Sequence, residues 1–327
     1  MSAVLLLSTG LCSAAAIVGG DITRAMGGSE MVPISDPPPE NPFAPVLVEA
    51  PYELGAGEDP AFVVLVENRG EADPAHIIPR SGHQNGTVVA WVYDSAGAFG
   101  VRYLGWGVFS DTQGQWMNDA ALYLSARGVV QGVTNPELTD GVMTAQFAPE
   151  RPVTRAQFVT MLLRLLDVAP AQEDGLGLTF GDAEEIPVWA QEAFASATAL
   201  GIVRGDAEGN IRPNDTITRQ DMAVMAHRAM ETFEMLPAFF TLEFLLFDDW
   251  GDVADYAAAP LQNLAKMKLL NGTDGRMNPK GRTTRAEAAQ FLYNLLTYDT
   301  AKAAASGAAD TPADTEGAGS PTSAEGA

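Results

Sequence analysis

Thr154-Arg155-Ala156-Gln157, Thr218-Arg219-Gln220-Asp221 and Thr284-Arg285-Ala286-Glu287 are three copies of one phrase, set 64 and 66 residues apart. Other marks recur with it. Phe109-Ser110-Asp111, Phe180-Gly181-Asp182 and Phe247-Asp248-Asp249 open the units, and Trp116, Trp189 and Tyr256 follow. Gly132, Gly205 and Gly272 each come 16 residues after that aromatic. Four marks kept in order three times define a repeat architecture.

The phrase reads as a helix start. Threonine suits an N-cap, because its hydroxyl accepts from a free N–H of the first turn. Gln157 and Glu287, three residues on, can reach back to the cap's own N–H and complete a capping box, which the shorter Asp221 does less well. Apolar stripes follow at i, i+3, i+4, i+7: Phe158, Met161, Leu162, Leu165; Met222, Met225, Ala226, Ala229; Ala288, Phe291, Leu292, Leu295. That spacing predicts one buried helix face each time. Arg155, Arg219 and Arg285 then take the first helical position, the positive end of the helix dipole. A cation kept there three times points to an anion docking nearby; the alternative is pairing with an acid of a neighbouring repeat.

Earlier in each repeat the aromatic leads into a first helix, with Ala190, Ala193, Phe194, Ala197 and Leu200 as its stripe in the second repeat and Gly201 ending it. Pro260 is expected to delay the corresponding helix of the third repeat, since proline is tolerated only in a first turn. The first repeat is longer between its glycine and its threonine, and the extra Pro136–Thr144 stretch reads as a surface loop. Phe239–Phe247 is apolar without a period that separates strand from helix.

Outside the repeats, residues 1–20 read either as a secretory signal or as an apolar N-terminal segment, with no Lys or Arg before Arg24. Residues 21–45 are a Pro/Gly-rich linker. Residues 46–106 change to a period of two, with β-branched runs at 61–67 and 87–93, a turn at Asp94-Ser95-Ala96-Gly97 and alternation at Phe99, Val101 and Tyr103. They predict a small β-module of three to five strands. The repeats occupy 109–168, 180–231 and 247–298, and 299–327 reads as a disordered acidic tail.

Composition narrows the function. Net charge is −23, from 42 acids against 19 bases, so nucleic acid is excluded as a partner and an anionic ligand must be met by local arginines. One cysteine, Cys12, excludes an internal disulfide framework. No run outside the N-terminus approaches a membrane span, so no membrane insertion is expected. There is no His-Glu-x-x-His, Gly-x-Ser-x-Gly or phosphate-binding glycine loop, and hence no expected enzyme and no cofactor. The histidines are His76, His83 and His227; the first two lack a third metal ligand, and His227 sits on a core helix with no evident acid partner. Asp206-Ala207-Glu208-Gly209-Asn210 alternates oxygens but lacks the downstream bidentate glutamate of a calcium loop.

These repeats resemble the S-layer homology (SLH) domain of bacterial surface proteins. The residues that carry the resemblance are the Phe-x-Asp openings, the aromatics, Gly201-Ile202-Val203-Arg204-Gly205, the Phe147-Ala148-Pro149 and Arg212-Pro213-Asn214 loops, and the phrase at 284–287. The resemblance implies a mainly α fold, three helical repeats in a pseudo-threefold unit, preceded here by the β-module. It further implies an extracellular protein held non-covalently on the envelope by secondary cell-wall polysaccharide, carrying pyruvylated sugars, bound in grooves between repeats. Carried over by motif, Arg155, Arg219 and Arg285 would pair with the acidic group, Trp116, Trp189 and Tyr256 would pack on a sugar face, and Asp111, Asp182 and Asp249 would bond hydroxyls or fix the groove; the alternatives are core packing for the aromatics and loop capping for the aspartates. Tyr256 departs from the tryptophan pattern. Surface-lattice neighbours are further partners, and the alternatives are a lattice component or the C-terminal anchor of a larger exported enzyme.

Overall fold

The second helices of the repeats begin where the threonines put them. In the computed structural model they are α2 (Arg155–Leu165), α4 (Arg219–Thr232) and α6 (Arg285–Asp310); the first helices are α1 (Asn118–Ala126), α3 (Gln191–Ala199) and α5 (Asp255–Lys266). The structure describes residues 32–33, 46–68, 75–92, 98–104, 107–139, 142–168, 178–237, 240 and 243–310. Thr154 and Thr284 sit in complete capping boxes, with Gln157 and Glu287 returning the bond to the threonine N–H at 3.1 and 2.8 Å. Thr218 caps Asp221 N–H, but Asp221 turns its carboxylate elsewhere.

No repeat folds on itself alone. The first helix of each packs on the second helix of its neighbour: α3 on α2, α5 on α4 and α1 on α6. The stripes meet in one continuous core that includes Phe158, Leu162, Phe194, Met222, Leu261 and Leu292. At the centre the backbone closes a ring: Val153 N–H donates to Thr283 O, Thr283 N–H to Ile217 O, and Ile217 N–H to Val153 O. A three-way cycle of this kind has no free end, which is why three pairs can bury a face that one pair cannot.

The repeat marks have packing reasons. A Cβ on Gly272 would lie 2.6 Å from Arg276 O and 2.8 Å from the Phe247 ring; on Gly132 it would meet Ala145, and on Gly205 the Phe180 ring. Each glycine therefore makes room for its neighbouring strand or loop, with the opening phenylalanine pressed against it. Asp111, Asp182 and Asp249 each accept two backbone N–H bonds from the loop before the next threonine. The second donor in each pair, Ala148, Arg212 or Asn278, has φ of +57°, +49° or +53° and precedes a proline. Left-handed backbone costs an L-residue roughly 1–2 kcal/mol, and the aspartate bonds hold it in place.

Ahead of the repeats lies a two-sheet sandwich. One sheet runs β1 (Val32–Pro33), β7 (Ala98–Tyr103), β3 (Val63–Asn68), β4 (His76–Ile78); the other runs β2 (Val46–Pro51), β6 (Thr87–Val92), β5 (Ser81–Gln84). Val48, Val63, Leu65, Val88, Phe99 and Val101 fill the space between. The module thus has more strands than the three to five expected, and Val32–Pro33, within the stretch read as linker, pairs with β7. Short strands without strict alternation leave few periodic residues to count. Taken whole, the described chain is mixed: the helices are confined to the repeats, so mainly α describes that unit and not the chain.

Other expectations need correcting. The extra stretch of the first repeat is not a bare loop: β9 (Glu137–Thr139) and β10 (Val142–Ala145) form a hairpin on β8 (Val108–Phe109). Helix α5 does not start late; Pro260 lies inside it, at the sixth position. Helix α6 runs past 299 to Asp310, into the stretch read as disordered tail, and its Asp299 is buried against Arg80 of the sandwich at 2.8 Å. Residues 243–247 are neither helix nor strand, with Gln262 bracketing the Leu245 backbone. His227 does have an acid near it, Glu231 at 3.7 Å, and its other ring nitrogen meets Asn263 at 3.0 Å. Residues 1–20, the turn at 94–97 and 311–327 lie outside the described residues.

The sandwich is joined to the repeats through buried cations. Arg127, at the end of α1, donates to the carbonyls of Ala61, Val63, Ser81 and Tyr123 and lies 3.4 Å from the Tyr123 ring centre. Burial pushes its pKa down, against the opposing pull of Tyr123 and Tyr293. His76 of the sandwich also meets Asp167, just after α2, at 2.6 Å.

Candidate ligand-binding grooves

Around the central ring the N-terminus of each second helix faces the loop of the next repeat. Arg155 and Ala156 donate their N–H groups to Asp215 and Pro213; Arg219 and Gln220 to Gly281 and Pro279; Arg285 and Ala286 to Arg151 and Pro149. The free amides that make a helix start attractive to anions are therefore already used. The side chains follow the same cycle. Arg155 Nε donates to Ile211 O at 2.8 Å, Arg219 Nη2 to Asn271 O at 2.6 Å, and Arg285 Nε and Nη2 to Phe147 O and Gln131 O, both at 2.7 Å. Carbonyl partners explain how a cation sits at the positive end of a dipole: the guanidinium reaches across to the next loop.

Acids of the neighbouring repeat stand by two of the three. Arg155 Nη1 is 3.4 Å from Asp221 and Arg219 Nη1 is 3.7 Å from Glu287. Arg285 has no carboxylate within ion-pair distance among the described residues; burial pushes its pKa down to about 10, Arg151 adds to this and Asp111 opposes it. Burial also lowers Arg219, with Glu287 opposing. Arg285 further lies over the Phe147 ring at 4.6 Å.

The three aromatics are on the surface: Trp116 is 63 % exposed, Trp189 47 % and Tyr256 55 %. That removes the core reading and leaves a face for packing. One of them joins the arginine cycle directly. Tyr256 O–H donates to Asp221 at 2.8 Å and accepts from Gln220 at 3.2 Å, so Arg155, Asp221 and Tyr256 come together from three different repeats. Burial, then the Asp221 bond and charge, raise the Tyr256 pKa to about 12, against Arg155 and Gln220. Trp189 lies on a short turn, Val188–Ala190, packed on α2, and Trp116 precedes α1, which packs on α6. The three aspartates fasten the loops between which the arginines lie, and Asp249 also stands 3.8 Å from Arg276. Sequence reasoning missed Gln220 and the acceptor carbonyls, and saw Asp221 and Glu287 only as caps.

Beside Arg219 the surface opens into a cavity of about 380 Å³, lined by Arg219, Thr273, Arg276, Met277, Asn278 and Glu287. Arg219 Nε is buried without a hydrogen-bond partner there. Among the described residues no three His, Cys, Asp or Glu are placed to hold a metal, and no helix is long and apolar enough to cross a membrane. Asp206 is occupied by Glu208 N–H, Asn210 N–H and Arg212.

The S-layer homology domain model matches residues 108–159, 179–223 and 246–289, the three structural repeats. The chain carries three S-layer homology domains. The exoglucanase XynX of Acetivibrio thermocellus is 35 % identical over 58 % of this chain and 16 % of its own length. The amylopullulanase of Thermoanaerobacterium thermosulfurigenes is 35 % identical over 58 % of this chain and 9 % of its own. An S-layer protein of Bacillus licheniformis is 27 % identical over 55 % of this chain and 18 % of its own. The chain thus spans less than a fifth of the length of these relatives. The enzymes match only over the S-layer homology domains, which are non-catalytic anchoring domains. Such domains, in S-layer proteins and exported enzymes alike, make this a cell-surface protein with an anchoring unit.

Proposed function

We propose that the three repeats hold the chain non-covalently on the cell envelope by binding an acidic cell-wall polysaccharide, with pyruvylated sugars as the recognised groups, in the grooves at Arg155, Arg219 and Arg285. The observation that carries this reading is the cavity beside Arg219. It is of a size for a sugar unit, bordered by two arginines, and has a buried guanidinium nitrogen without a partner. A planar fork meets a carboxylate with two parallel bonds, which a lysine does not. The half-exposed Trp116, Trp189 and Tyr256 offer flat faces for sugar rings.

With a net charge of −23 the chain is repelled at long range from an anionic polymer, so contact rests on these local cations. Added salt screens that repulsion over a Debye length of about 8 Å at physiological strength, while close arginine–carboxylate contacts are partly desolvated and feel it less. Moderate salt is therefore expected to leave binding in place. The test is binding to purified cell-wall sacculi before and after the polymer is stripped: binding lost on stripping supports the reading, and equal binding to both overturns it. A second reading, the anchoring part of a longer exported protein, is favoured by the relatives, whose matches cover under a fifth of their length.

A further inference from the structure

The three grooves repeat one backbone geometry but not one charge. Two positions surround each arginine. One is the residue whose carbonyl accepts the arginine N–H: Asp215 for Arg155, Gly281 for Arg219, Arg151 for Arg285. The other is the capping-box position of the next helix: Asp221 for Arg155, Glu287 for Arg219, and by the same cycle Gln157 for Arg285. The formal charge of each trio is −1 at Arg155, 0 at Arg219 and +2 at Arg285. The stapling aspartates 111, 182 and 249 are common to all three grooves and do not alter the order. Arg212, near the first groove, is tied to Asp206 at 2.8 Å, and Arg276, on the second, lies 3.8 Å from Asp249.

Arg285 also differs in how it is held. It is only 6 % exposed, two of its nitrogens are on carbonyls, and its third, Nη1, has no hydrogen-bond partner among the described residues. Its two acceptors, Gln131 and Phe147, flank the β9–β10 hairpin that the other repeats lack. A buried cation with no carboxylate at ion-pair distance leaves much of its field for whatever enters the groove.

From this we infer that the grooves are graded in anion preference, Arg285 before Arg219 before Arg155, and that Gln157 is the specificity-determining residue that keeps the Arg285 groove for a carboxylate- or phosphate-bearing ligand. In the other two grooves an incoming anion must displace or face a carboxylate already present. The inference rests on the anchoring reading only for the source of the ligand; the grading itself is a property of the grooves. Gln157 and Glu287 make the same capping bond, so exchanging amide and acid keeps both helix starts.

The experiment follows the Nε–Hε signals of Arg155, Arg219 and Arg285 by NMR in the full chain, titrated with inorganic phosphate at pH 7.5. Arg285 is expected to respond at the lowest concentration and Arg155 at the highest, about tenfold apart or more, since one unit charge a few ångströms away outweighs thermal energy at partly buried sites. Gln157→Glu should raise the Arg285 midpoint about tenfold, and Glu287→Gln should lower the Arg219 midpoint. Three signals moving with one midpoint, Arg155 responding first, or no response of Arg285 would each overturn the inference. Sacculus binding is measured on the same variants. Polymer bound equally by wild type and Gln157→Glu overturns the grading and leaves anchoring intact; a grading seen with phosphate without any binding to sacculi supports the inference and overturns the anchoring reading.

Discussion

Asp249→Ala should be among the most damaging single changes in the third repeat. The Asp249 carboxylate is 3 % exposed and accepts Met277 N–H at 2.8 Å and Asn278 N–H at 2.7 Å. Removing it leaves two amides unpaired beside buried Met277, and releases Asn278 from a φ of +53°. Each donor left unsatisfied costs about 1–3 kcal/mol, so the loss of both should be about 2–6 kcal/mol, a large share of a typical domain's stability. Urea unfolding followed by circular dichroism measures it at pH 7, and Asp249→Asn, which keeps one acceptor oxygen, should lose less. Acid supplies an independent check. Burial alone would raise the Asp249 pKa, but the two amides and Arg276 outweigh it and hold the group below the ordinary carboxylate value. A depressed native pKa gives stability that is fully present above the unfolded value, about 3.9, and lost as pH falls through the native one. The gap between wild type and Asp249→Ala should therefore narrow below about pH 4. A loss under 1 kcal/mol at pH 7, or a gap that does not change on acidification, would refute the staple as described.

Further outcomes follow from single contacts. Gly272→Ala places a Cβ 2.6 Å from a backbone carbonyl, whereas at Gly205 the nearest atom is a ring carbon at 3.2 Å; the first should cost about 1–3 kcal/mol in denaturant unfolding and the second less. Lys268 follows the last turn of α5 at φ +59°, where Gly128 and Gly201 stand after α1 and α3; Lys268→Gly should raise stability by about 1 kcal/mol, read as a higher melting temperature. Arg80→Ala strands the buried Asp299 carboxylate and should cost about 3–5 kcal/mol, with faster proteolysis beyond 299; the double change Arg80→Met with Asp299→Leu should recover much of the loss, and a double variant as unstable as the single would count against this account.

Hydrogen-bond partners separate what could be read along the chain from what could not. Caps and stripes connect residues three or four apart, so Thr154, Thr218 and Thr284 and the apolar positions after them announced the second helices. The aspartates of the opening marks were legible as conserved in register, but not the loops they fasten. Which carbonyl meets each arginine was not legible at all, because every residue carries a carbonyl and only its placement selects Ile211, Asn271 or Phe147.

The sequence by itself determined the number of repeats and the starts of their second helices, since each is a pattern of side chains at short, fixed spacing; that the three aromatics lie on the surface came from the structure. The tertiary structure alone decided the closed ring through Val153, Ile217 and Thr283, the unequal neutralisation of the three arginines, and the docking of the sandwich through Arg80, Arg127 and Asp299. Those contacts join residues far apart in sequence. A buried charge is satisfied by whatever the fold brings to it, and no local periodicity records that choice.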